Sequence, residues 1–496
     1  MRVALAAATT ACMGLLAACS FAPAYQRPAT PAPASSYTEA GNWKTAQPGD
    51  TTVRGQWWTA FGDAQLDMLE SRVEDANQDL KAAVARFQQA RAQARYARAD
   101  YFPTVTAGAD ATRQRQSQNR ALASPTAPTT YNDFLLNADL SYEIDVWGRV
   151  RNAAEAGKAT AQASAADLDA LDLAIHAELA MDYFSLRADD SSQALLDDAV
   201  AAYRKALALT RNRYRGGVAA EVDVDQAQAQ LQTAITQATD LRLKRTQLEH
   251  AIAVLVGVPA SVFSLPPAQL AATMPAIDPG LPSSLLERRP DIAAAERRTA
   301  AANAAIGVAR AAYFPVFSLA AAAGLESGSS ANWISAPSQL WAIGPSALLT
   351  LFDGGRRSAL SDQARAAYDE TAADYRQTVL TAYREVEDNL AAIRQLDQEN
   401  SSENLAAAAA QRALTQANYR YKGGIATYLE VVAAQNTALQ AQLATVDIQA
   451  RQLTASVLLI KALGGGWDSS MIDTAKPSDP TTPAETAPAR GTPARP

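Results

Sequence analysis

The sequence predicts an internally duplicated, mainly α-helical chain in which each repeat combines a long helical hairpin with two membrane-crossing β-strands. Three observations lead to this fold class. Motifs recur 207 residues apart, two proline-free stretches of 64 residues have helix-forming composition, and one segment alternates apolar with polar residues. Each repeat therefore contributes one hairpin and two strands, which gives four strands per chain.

The composition argues against an enzyme and against a nucleic-acid-binding protein. The 496 residues include 44 Lys and Arg against 51 Asp and Glu, so the chain lacks the basic excess that phosphate binding requires. Two cysteines and two histidines leave almost no material for a zinc site or a histidine-based catalytic centre. We expect no cofactor and no metal. His176 and His250 are expected to be ordinary helix residues, and the pair Asp189–Asp190 surface charge.

The first nineteen residues indicate secretion and lipid attachment. Arg2 is followed by an apolar stretch that is too short to span a membrane, and the stretch ends in Leu-Ala-Ala-Cys. This pattern resembles a bacterial lipoprotein signal, with residues 1–18 removed and Cys19 acylated. The residue after it, Ser20, is typical of sorting to the outer membrane. The alternative is an ordinary cleavage site that happens to contain a cysteine.

The mature chain divides into an arm, two repeats, a linker and a tail. Arg213–Ala219 returns as Arg420–Ala426, and Gly148–Arg149 returns as Gly355–Arg356, both 207 residues later. Proline-rich sequence joins the two copies and follows the second. The predicted segments are an extended arm (19–60), repeat 1 (61–256), a linker (257–283), repeat 2 (284–466) and a disordered tail (467–496).

Each repeat is expected to contain a helical hairpin of unusual length. A helix of 64 residues is roughly 96 Å long, far more than the width of a globular domain. A glycine pair then provides the left-handed turn that ends a helix. The predicted long helices are 150–213 and 357–420, with tips at 214–218 and 421–425, returning helices near 221–255 and 428–463, and earlier helices near 64–100 and 287–312.

Period-two alternation marks the strands, most clearly where Leu136, Ala138 and Leu140 alternate with polar residues. The length fits a tilted strand that crosses a membrane. A half-buried strand of a soluble protein has the same pattern, so that alternative stays open. Four strands cannot close a barrel, and membrane strands would therefore require at least two chains. The predicted strands are about 104–112, 135–146, 316–325 and 340–352.

Several motifs resemble the TolC-like outer membrane efflux channels, in particular their lipoprotein branch. They are Trp57-Trp58-x-x-Phe61-x-Asp63, Arg288-Arg289-Pro290-Asp291-Ile292, Phe352-Asp353-Gly354-Gly355-Arg356 and Tyr419-x-Tyr421-x-x-Gly424. The resemblance implies a homotrimer in the outer membrane of a Gram-negative bacterium, with a twelve-stranded β-barrel above a twelve-helix periplasmic α-barrel. It also implies a periplasmic adaptor and an inner-membrane pump, which we expect to be proton-driven.

The resemblance places the resting closure of the tunnel at the hairpin tips. Gly216, Gly217, Gly423 and Gly424 would form the turns that meet the adaptor, and Arg213, Tyr214, Arg420 and Tyr421 would bond between neighbouring hairpins. The alternative for these four side chains is local: a cation near a helix C-terminus favours the helix dipole, and a tyrosine packs the turn.

The repeat itself identifies one further pair. Asp223 and Glu430 occupy the only carboxylate position that the two tips share at the 207-residue offset. The family resemblance places this position at the periplasmic entrance, where six carboxylates of a trimer would attract cations. The alternative is a pair of solvated acids that stabilise the first turn of a helix.

The leading functional hypothesis is a passive export duct for small molecules such as drugs, with a link to antibiotic resistance. A periplasm-spanning structural tether is the alternative from another class, and the alternating strands argue against it. Ducts for metal efflux or protein secretion share the architecture, so the sequence does not choose among substrates.

Overall fold

The computed structural model describes residues 20–32, 35–40, 55–117, 119, 121, 129–277 and 284–467. Cys19, the predicted signal peptide and the tail from residue 468 lie outside these residues. Trp467, which the sequence assigned to the tail, is instead buried beside Ala166 and Ala294. Gly464–Gly466 have positive φ and turn the chain back onto the helices, which is why the packed structure extends past them.

Seven α-helices longer than one turn are present in the described residues. None of the described helices combines the length and the apolar character needed to cross a membrane. A single turn at Leu285–Arg288 precedes the fifth helix. The helices are α1 (Ala64–Ala76), α2 (Gln78–Ala99), α3 (Arg149–Arg215), α4 (Glu221–Leu255), α5 (Pro290–Ala311), α6 (Arg356–Lys422) and α7 (Tyr428–Ala462).

The duplication extends to the helix boundaries. Helices α3 and α6 each have 67 residues, and α4 and α7 each have 35. Every boundary of α6 and α7 lies 207 residues after the matching boundary of α3 and α4. A helix of this length is about 100 Å long, so the two hairpins are rods of equal size.

The expected helix 64–100 is two helices, because Asn77 interrupts it. The Asn77 backbone is extended, and its side-chain oxygen accepts a hydrogen bond from the Leu80 amide at 2.9 Å, which caps α2. The Asn77 amide nitrogen donates to the Leu255 carbonyl at 2.9 Å. This break therefore fixes the start of α2 against the end of α4.

The four strands form one antiparallel sheet in the order β1-β2-β3-β4. The first hairpin is longer than expected, since Arg113–Arg115 pair with Thr130–Asn132 and extend the ladder. Strand β2 ends earlier than expected, because Asp145 instead accepts hydrogen bonds from the Val150 and Arg151 amides and caps α3. Strand β4 also ends earlier, because Leu348 already pairs with Val316, the first residue of β3. The strands are β1 (Thr104–Arg115), β2 (Thr130–Ile144), β3 (Val316–Ser327) and β4 (Gln339–Leu348).

The register gives the sheet one apolar face. Leu140 lies between Val105 and Ala321, and Ala321 faces Ile343, so one row across all four strands is apolar. The next row, on the opposite face, contains Thr106, Asp139, Ala322 and Ala342. Val105, Ile343 and Trp341 are 65%, 66% and 77% exposed, so no other described part of this chain covers the apolar face.

The helices pack in two zones. Next to the sheet, α2 packs on α3, α3 on α5, and α5 on α6, which makes a row of four helices. Towards the tips, α3 pairs with α4, α6 pairs with α7, and α7 also contacts α3. The row of helices thus follows the order of the strands to which it is connected.

The N-terminal arm crosses this row on its way from the sheet. Phe21 stacks on Phe314 with ring centroids 4.3 Å apart, beside Trp147 at the base of the strands. Gly307 lets the arm approach closely, since a Cβ there would lie 2.7 Å from Ala22. Further along, the arm forms hydrogen bonds with α5 and α6. The Tyr25 hydroxyl donates to Glu296 of α5, and Arg376 of α6 donates to the Ala29 carbonyl. The Thr38 and Glu39 amides donate to Glu387 of α6.

The Asp189–Asp190 pair is not simply surface charge, because Asp190 is buried. Its carboxylate accepts from Arg187 at 3.0 Å, from Arg245 at 2.6 Å and from the Ala268 amide at 3.1 Å. Arg187 and Arg245 also donate to carbonyls of the inter-repeat linker, at Pro266 and Leu265. A buried charge is tolerated where such partners satisfy it, and this one ties the linker to α3 and α4.

His176 is likewise not an ordinary exposed helix residue. It is 2% exposed, its Nδ1 lies 2.6 Å from the Glu70 carboxylate of α1, and Trp58 stacks on its ring. Burial raises the pKa of Glu70 to about 7, with the His176 hydrogen bond opposing the rise. Burial alone would lower the pKa of His176, but hydrogen bonds with Asp172 and Glu70 outweigh it and raise this pKa to about 9.

We predict that this pair makes stability fall as the pH rises from about 5 to about 9. Both folded-state pKa values lie above their ordinary values, so the folded chain binds the extra protons that are lost over this range. At about 1.4 kcal/mol for each unit of pKa, the contribution of the two groups is on the order of several kcal/mol. Thermal unfolding of Glu70→Gln with His176→Gln should lack this pH dependence.

His250→Gln is the matched control, since His250 is exposed on α4. Its unfolding profile should follow that of the wild type at every pH. A double variant that retains the wild-type slope between pH 5 and 9 would contradict the assignment.

Candidate functional site

The two hairpin tips are built by the same backbone turn. Gly217 and Gly424 have φ of 71° and 74°, which side chains other than glycine rarely adopt. The amides that follow, Val218 and Ile425, donate back to the Arg213 and Arg420 carbonyls at 2.8 and 2.9 Å. The first glycine of each predicted pair, Gly216 or Gly423, has a negative φ. Only the second glycine of each pair therefore adopts the left-handed conformation that favours glycine.

The hairpins contact each other just above the tips through buried aromatic residues. Tyr421 and Tyr428 are 7% and 2% exposed, with ring centroids 5.4 Å apart, and Tyr203 of α3 belongs to the same cluster. Burial raises the pKa of the Tyr428 hydroxyl to about 12, with the neighbouring Tyr421, Tyr203 and Asp223 adding to the rise. These phenols stay neutral and pack the two repeats together.

Arg213 is the predicted tip residue that bridges the repeats. Its guanidinium lies 4.6 Å from the centroid of the Tyr421 ring and donates to the Tyr421 carbonyl at 3.1 Å. Its counterpart Arg420 stays within its own hairpin, where it forms an exposed ion pair with Glu430 at 3.3 Å. Tyr214 is 44% exposed, whereas its counterpart Tyr421 is buried. The four residues therefore match in sequence but differ in their contacts.

Asp223 and Glu430 also differ in their partners. Each is the third residue of its helix, α4 or α7. The Asp223 carboxylate accepts from the Ala220 amide at 3.2 Å, as an acid in the first turn commonly does. Glu430 instead pairs with Arg420. The position of these two carboxylates relative to a pore stays a prediction.

The tip region also contains residues that the repeat comparison missed. Tyr428 lies opposite Glu221 at the 207-residue offset, so a search for shared residues passes over it.

 Gln435 corresponds to Gln228, which accepts from Arg211 at 2.8 Å. Glutamine is so frequent in these helices that this match carries no signal by itself.

A groove of about 520 Å³ lies between α3, α6 and α7 next to the aromatic cluster. The Tyr428 hydroxyl and the Gln435 side-chain oxygen are buried there without a hydrogen-bond partner in the described part of the chain. Lys205, Lys422 and the 67% exposed Tyr419 also line the groove. Such a groove offers polar groups and aromatic surface to a partner that inserts a side chain. Among the described residues no group of three His, Cys, Asp or Glu side chains could hold a metal ion.

We predict that Arg213→Ala loosens the contact between the two hairpins, whereas Arg420→Ala does not. Loss of the hydrogen bond and the cation–π contact should cost about 1–2 kcal/mol of local opening free energy. Loss of an exposed ion pair costs about 0–1 kcal/mol. Hydrogen exchange of the amides around Tyr421 measures the difference. Equal acceleration of exchange in the two variants would contradict the bridging role of Arg213.

Comparison with known proteins places this architecture in one family. The outer membrane efflux protein family matches residues 69–258 and 281–465, which cover both repeats. The outer membrane protein OprJ of Pseudomonas aeruginosa is 34% identical over 457 residues, covering 91% of this chain and 94% of OprJ. The pyoverdine export outer membrane protein OpmQ of the same species is 34% identical over 475 residues, covering 93% and 96%.

A solved structure supports the same assignment. The outer membrane channel CmeC of Campylobacter jejuni superposes with a TM-score of 0.86 at 25% identity, covering 91% of this chain and 96% of CmeC. The shared fold includes both repeats, so the duplicated helical architecture is confirmed. The chain therefore belongs to the outer membrane efflux protein family and serves as the outer-membrane duct of an efflux system.

Proposed function

We propose that three copies of this chain form one passive duct, which receives small molecules from a periplasmic adaptor and a proton-driven inner-membrane pump. The observation that carries the proposal is the combination, in one chain, of a four-stranded sheet with two hairpins about 100 Å long. Rods of this length suit a tunnel through the periplasm, and the sheet suits the outer membrane.

The sheet supports an assembly of several chains. Within the described residues β1 and β4 are its outer strands, and their free edges carry backbone groups that need partners in a membrane. The exposed apolar face, with Val105, Trp341 and Ile343, fits lipid. Natural membrane barrels have about 8 strands or more, and three copies would supply twelve.

The names of relatives favour small molecules as cargo. Proteins 33% identical to this chain are described as outer membrane proteins of an antibiotic efflux pump and of a toluene efflux pump in Pseudomonas putida. OpmQ is described as a pyoverdine export protein. These names support export of drugs or other toxic compounds more than export of metal ions or proteins.

We propose that the adaptor docks at the hairpin tips. The turns at Gly216–Gly217 and Gly423–Gly424 are exposed, and the groove beside Tyr428 offers buried polar atoms that lack partners in the described chain. Arg213 and the tyrosine cluster hold the two hairpins of one chain together at the same level. Contact with an adaptor at this point could act directly on the bridge that links the repeats.

Two measurements test the duct and its entrance together. Light scattering determines whether the purified particles are trimers, and planar-bilayer recordings measure their conduction. We expect the wild type to favour cations and to be blocked by trivalent cations, because Asp223 and Glu430 line the entrance. Asp223→Ala with Glu430→Ala should weaken both effects with little change in trimer assembly. A stable monomer that conducts would overturn the trimeric duct.

Two further variants separate charge from helix capping. Asp223→Asn with Glu430→Gln keeps hydrogen-bond acceptors at both sites, including the one that binds the Ala220 amide, and should still lose selectivity. Glu221→Ala with Asp225→Ala removes the same charge from residues that have no acidic counterpart in the second repeat, and it should retain selectivity. Wild-type selectivity and block in both Asp223/Glu430 double variants would refute the entrance assignment.

We further propose that Cys19 carries a lipid that anchors the arm at the outer membrane. Cys19 precedes Ser20, which donates to the Asn152 side chain at 3.2 Å, close to the base of the strands. The stacking of Phe21 on Phe314 holds the arm at this level. An acyl chain attached to Cys19 would therefore start at the membrane surface.

Cys19→Ala is expected to leave an unprocessed or unanchored chain, whereas Cys12→Ala, within the predicted signal peptide, should leave the mature protein unchanged. Mass spectrometry of the mature N-terminus should find an acylated Cys19 in the wild type. An unmodified start at any other residue would end the lipoprotein hypothesis.

A further inference from the structure

A groove of about 570 Å³ lies between α2 and α3, next to the sheet. Tyr101, which follows α2 and precedes β1, lines this groove, and Phe87 lines it about three turns before the end of α2. The two helices touch beside the groove, where a Cβ on Gly157 would lie 3.3 Å from the Cα of Ala94. The groove therefore extends along the first turns of the helix row below the strands.

The lining of this groove is basic, although the chain as a whole carries a net charge of −7. It contains one acid, Glu155, and four basic residues, Arg91, Arg95, Arg98 and Lys158. The three arginines follow one another at intervals of four and three residues, which places them on one face of α2. In the part of the chain that the structure describes, none of these five side chains forms an ion pair. Cations held together without partners attract an anion.

The groove opens on the face of α3 that is covered further down the helix. His176 follows Lys158 by 18 residues, which is five turns, so the two lie on one line along α3. The same spacing separates Tyr183 from Ala165, which also lines the groove. His176 stacks on Trp58, and Tyr183 belongs to the same buried cluster as Trp58. The segment before α1 therefore packs on this face below the groove.

This side of the helix row is also the side of the apolar face of the sheet. Phe317 lies four residues before Ala321 on β3 and so on the same apolar face. Its ring centroid is 6.3 Å from that of Trp147, which in turn contacts Phe21 of the arm. The arm and the segment before α1 meet at Ile277 of the linker, which packs against the buried clusters of both. The groove thus opens towards the side that faces lipid where the sheet crosses a membrane.

We propose that this groove binds a phosphate-bearing anion, namely the headgroup of an anionic phospholipid in the periplasmic leaflet of the outer membrane. The site rests on the proposed position of the sheet in that membrane. The headgroup layer of a bilayer extends roughly 5–8 Å beyond the hydrocarbon. Arg98 and Arg95 lie about 2 and 6 Å before the end of α2, and Tyr101 follows it, so all three come within reach of this layer.

The groups in the groove divide the recognition of the headgroup. The guanidinium groups of Arg95 and Arg98 bind phosphate oxygens through paired hydrogen bonds, and the Lys158 ammonium adds a third charge. Arg91 lies deeper, 5.6 Å from the centroid of the Phe87 ring, and its charge draws the headgroup inwards. The acyl chains follow the apolar face of the sheet. A free phosphate ion has the same chemistry, but only a lipid also uses the apolar surface above the groove.

Native mass spectrometry of the full-length protein, freed of bound phospholipid in a non-ionic detergent, tests the site. Phosphatidylglycerol should bind more tightly than phosphatidylcholine, whose headgroup has no net charge. Arg95→Gln with Lys158→Gln should lower the affinity for phosphatidylglycerol about 25-fold, because each basic residue near an anionic lipid contributes about fivefold. Arg95→Lys with Lys158→Arg keeps both charges and should retain the preference. Glu155→Gln removes the acid from the lining and should raise the affinity.

Lys81→Gln with Arg86→Gln is the matched control, since it removes the same charge from residues of α2 that do not line the groove. Its affinity for phosphatidylglycerol should stay at the wild-type value. Equal losses in this control and in the Arg95/Lys158 double variant would overturn the site. Inorganic phosphate at the concentration of the lipid should not displace it. Displacement would make free phosphate the occupant and overturn the lipid assignment.

The same samples separate this site from the proposed duct. Trimers that conduct but bind phosphatidylglycerol and phosphatidylcholine equally would refute the lipid site and leave the duct standing. A monomer that conducts and still prefers phosphatidylglycerol would refute the trimeric duct and leave the site standing.

Discussion

The requirement that backbone amides and carbonyls be hydrogen-bonded constrains this molecule more than any single side chain does. A sheet of four strands satisfies the backbone groups of its inner edges, whereas the outer sides of β1 and β4 have no partner strand among the described residues. Each outer strand is joined to a helix of the row beneath it, so the edges of the two layers are fixed together. Any arrangement that completes the sheet also decides which helices meet. In the proposed assembly, the fold of one chain therefore also sets which elements of neighbouring copies meet.

The two repeats have the same backbone architecture, but their side chains make different contacts. Their long helices have the same length and the same boundaries at a constant offset, and their tips use the same left-handed glycine. Their side chains nevertheless make different contacts, because Arg213 reaches across to Tyr421 while Arg420 pairs within its own hairpin. Duplication preserved the rods, and divergence at a few positions near the tips produced an asymmetric contact between them.

Segments outside the repeats hold the two halves together. The arm runs from the base of the strands over α5 and α6, with Phe21 on Phe314 and Tyr25 on Glu296. The linker is held by Arg187 and Arg245, whose shared partner is the buried Asp190. Leu265 of the linker and Tyr37 of the arm also belong to the buried apolar clusters of the long helices. The irregular parts of the chain therefore stabilise the regular ones.

The sequence by itself determined the duplication, the hairpins, the glycine turns and the approximate strands, because each depends on local composition or on a regular period. It placed Asp223 and Glu430 at equivalent positions for the same reason. Only the tertiary structure decided which residues are buried and with whom. His176 and Asp190 look like ordinary helix residues, yet Glu70 lies 106 positions from His176 along the chain and the linker carbonyls lie far from Asp190. The helix break at Asn77 likewise depends on the distant Leu255 carbonyl. Partners so far apart in sequence leave no periodic signal, and only folding brings them together.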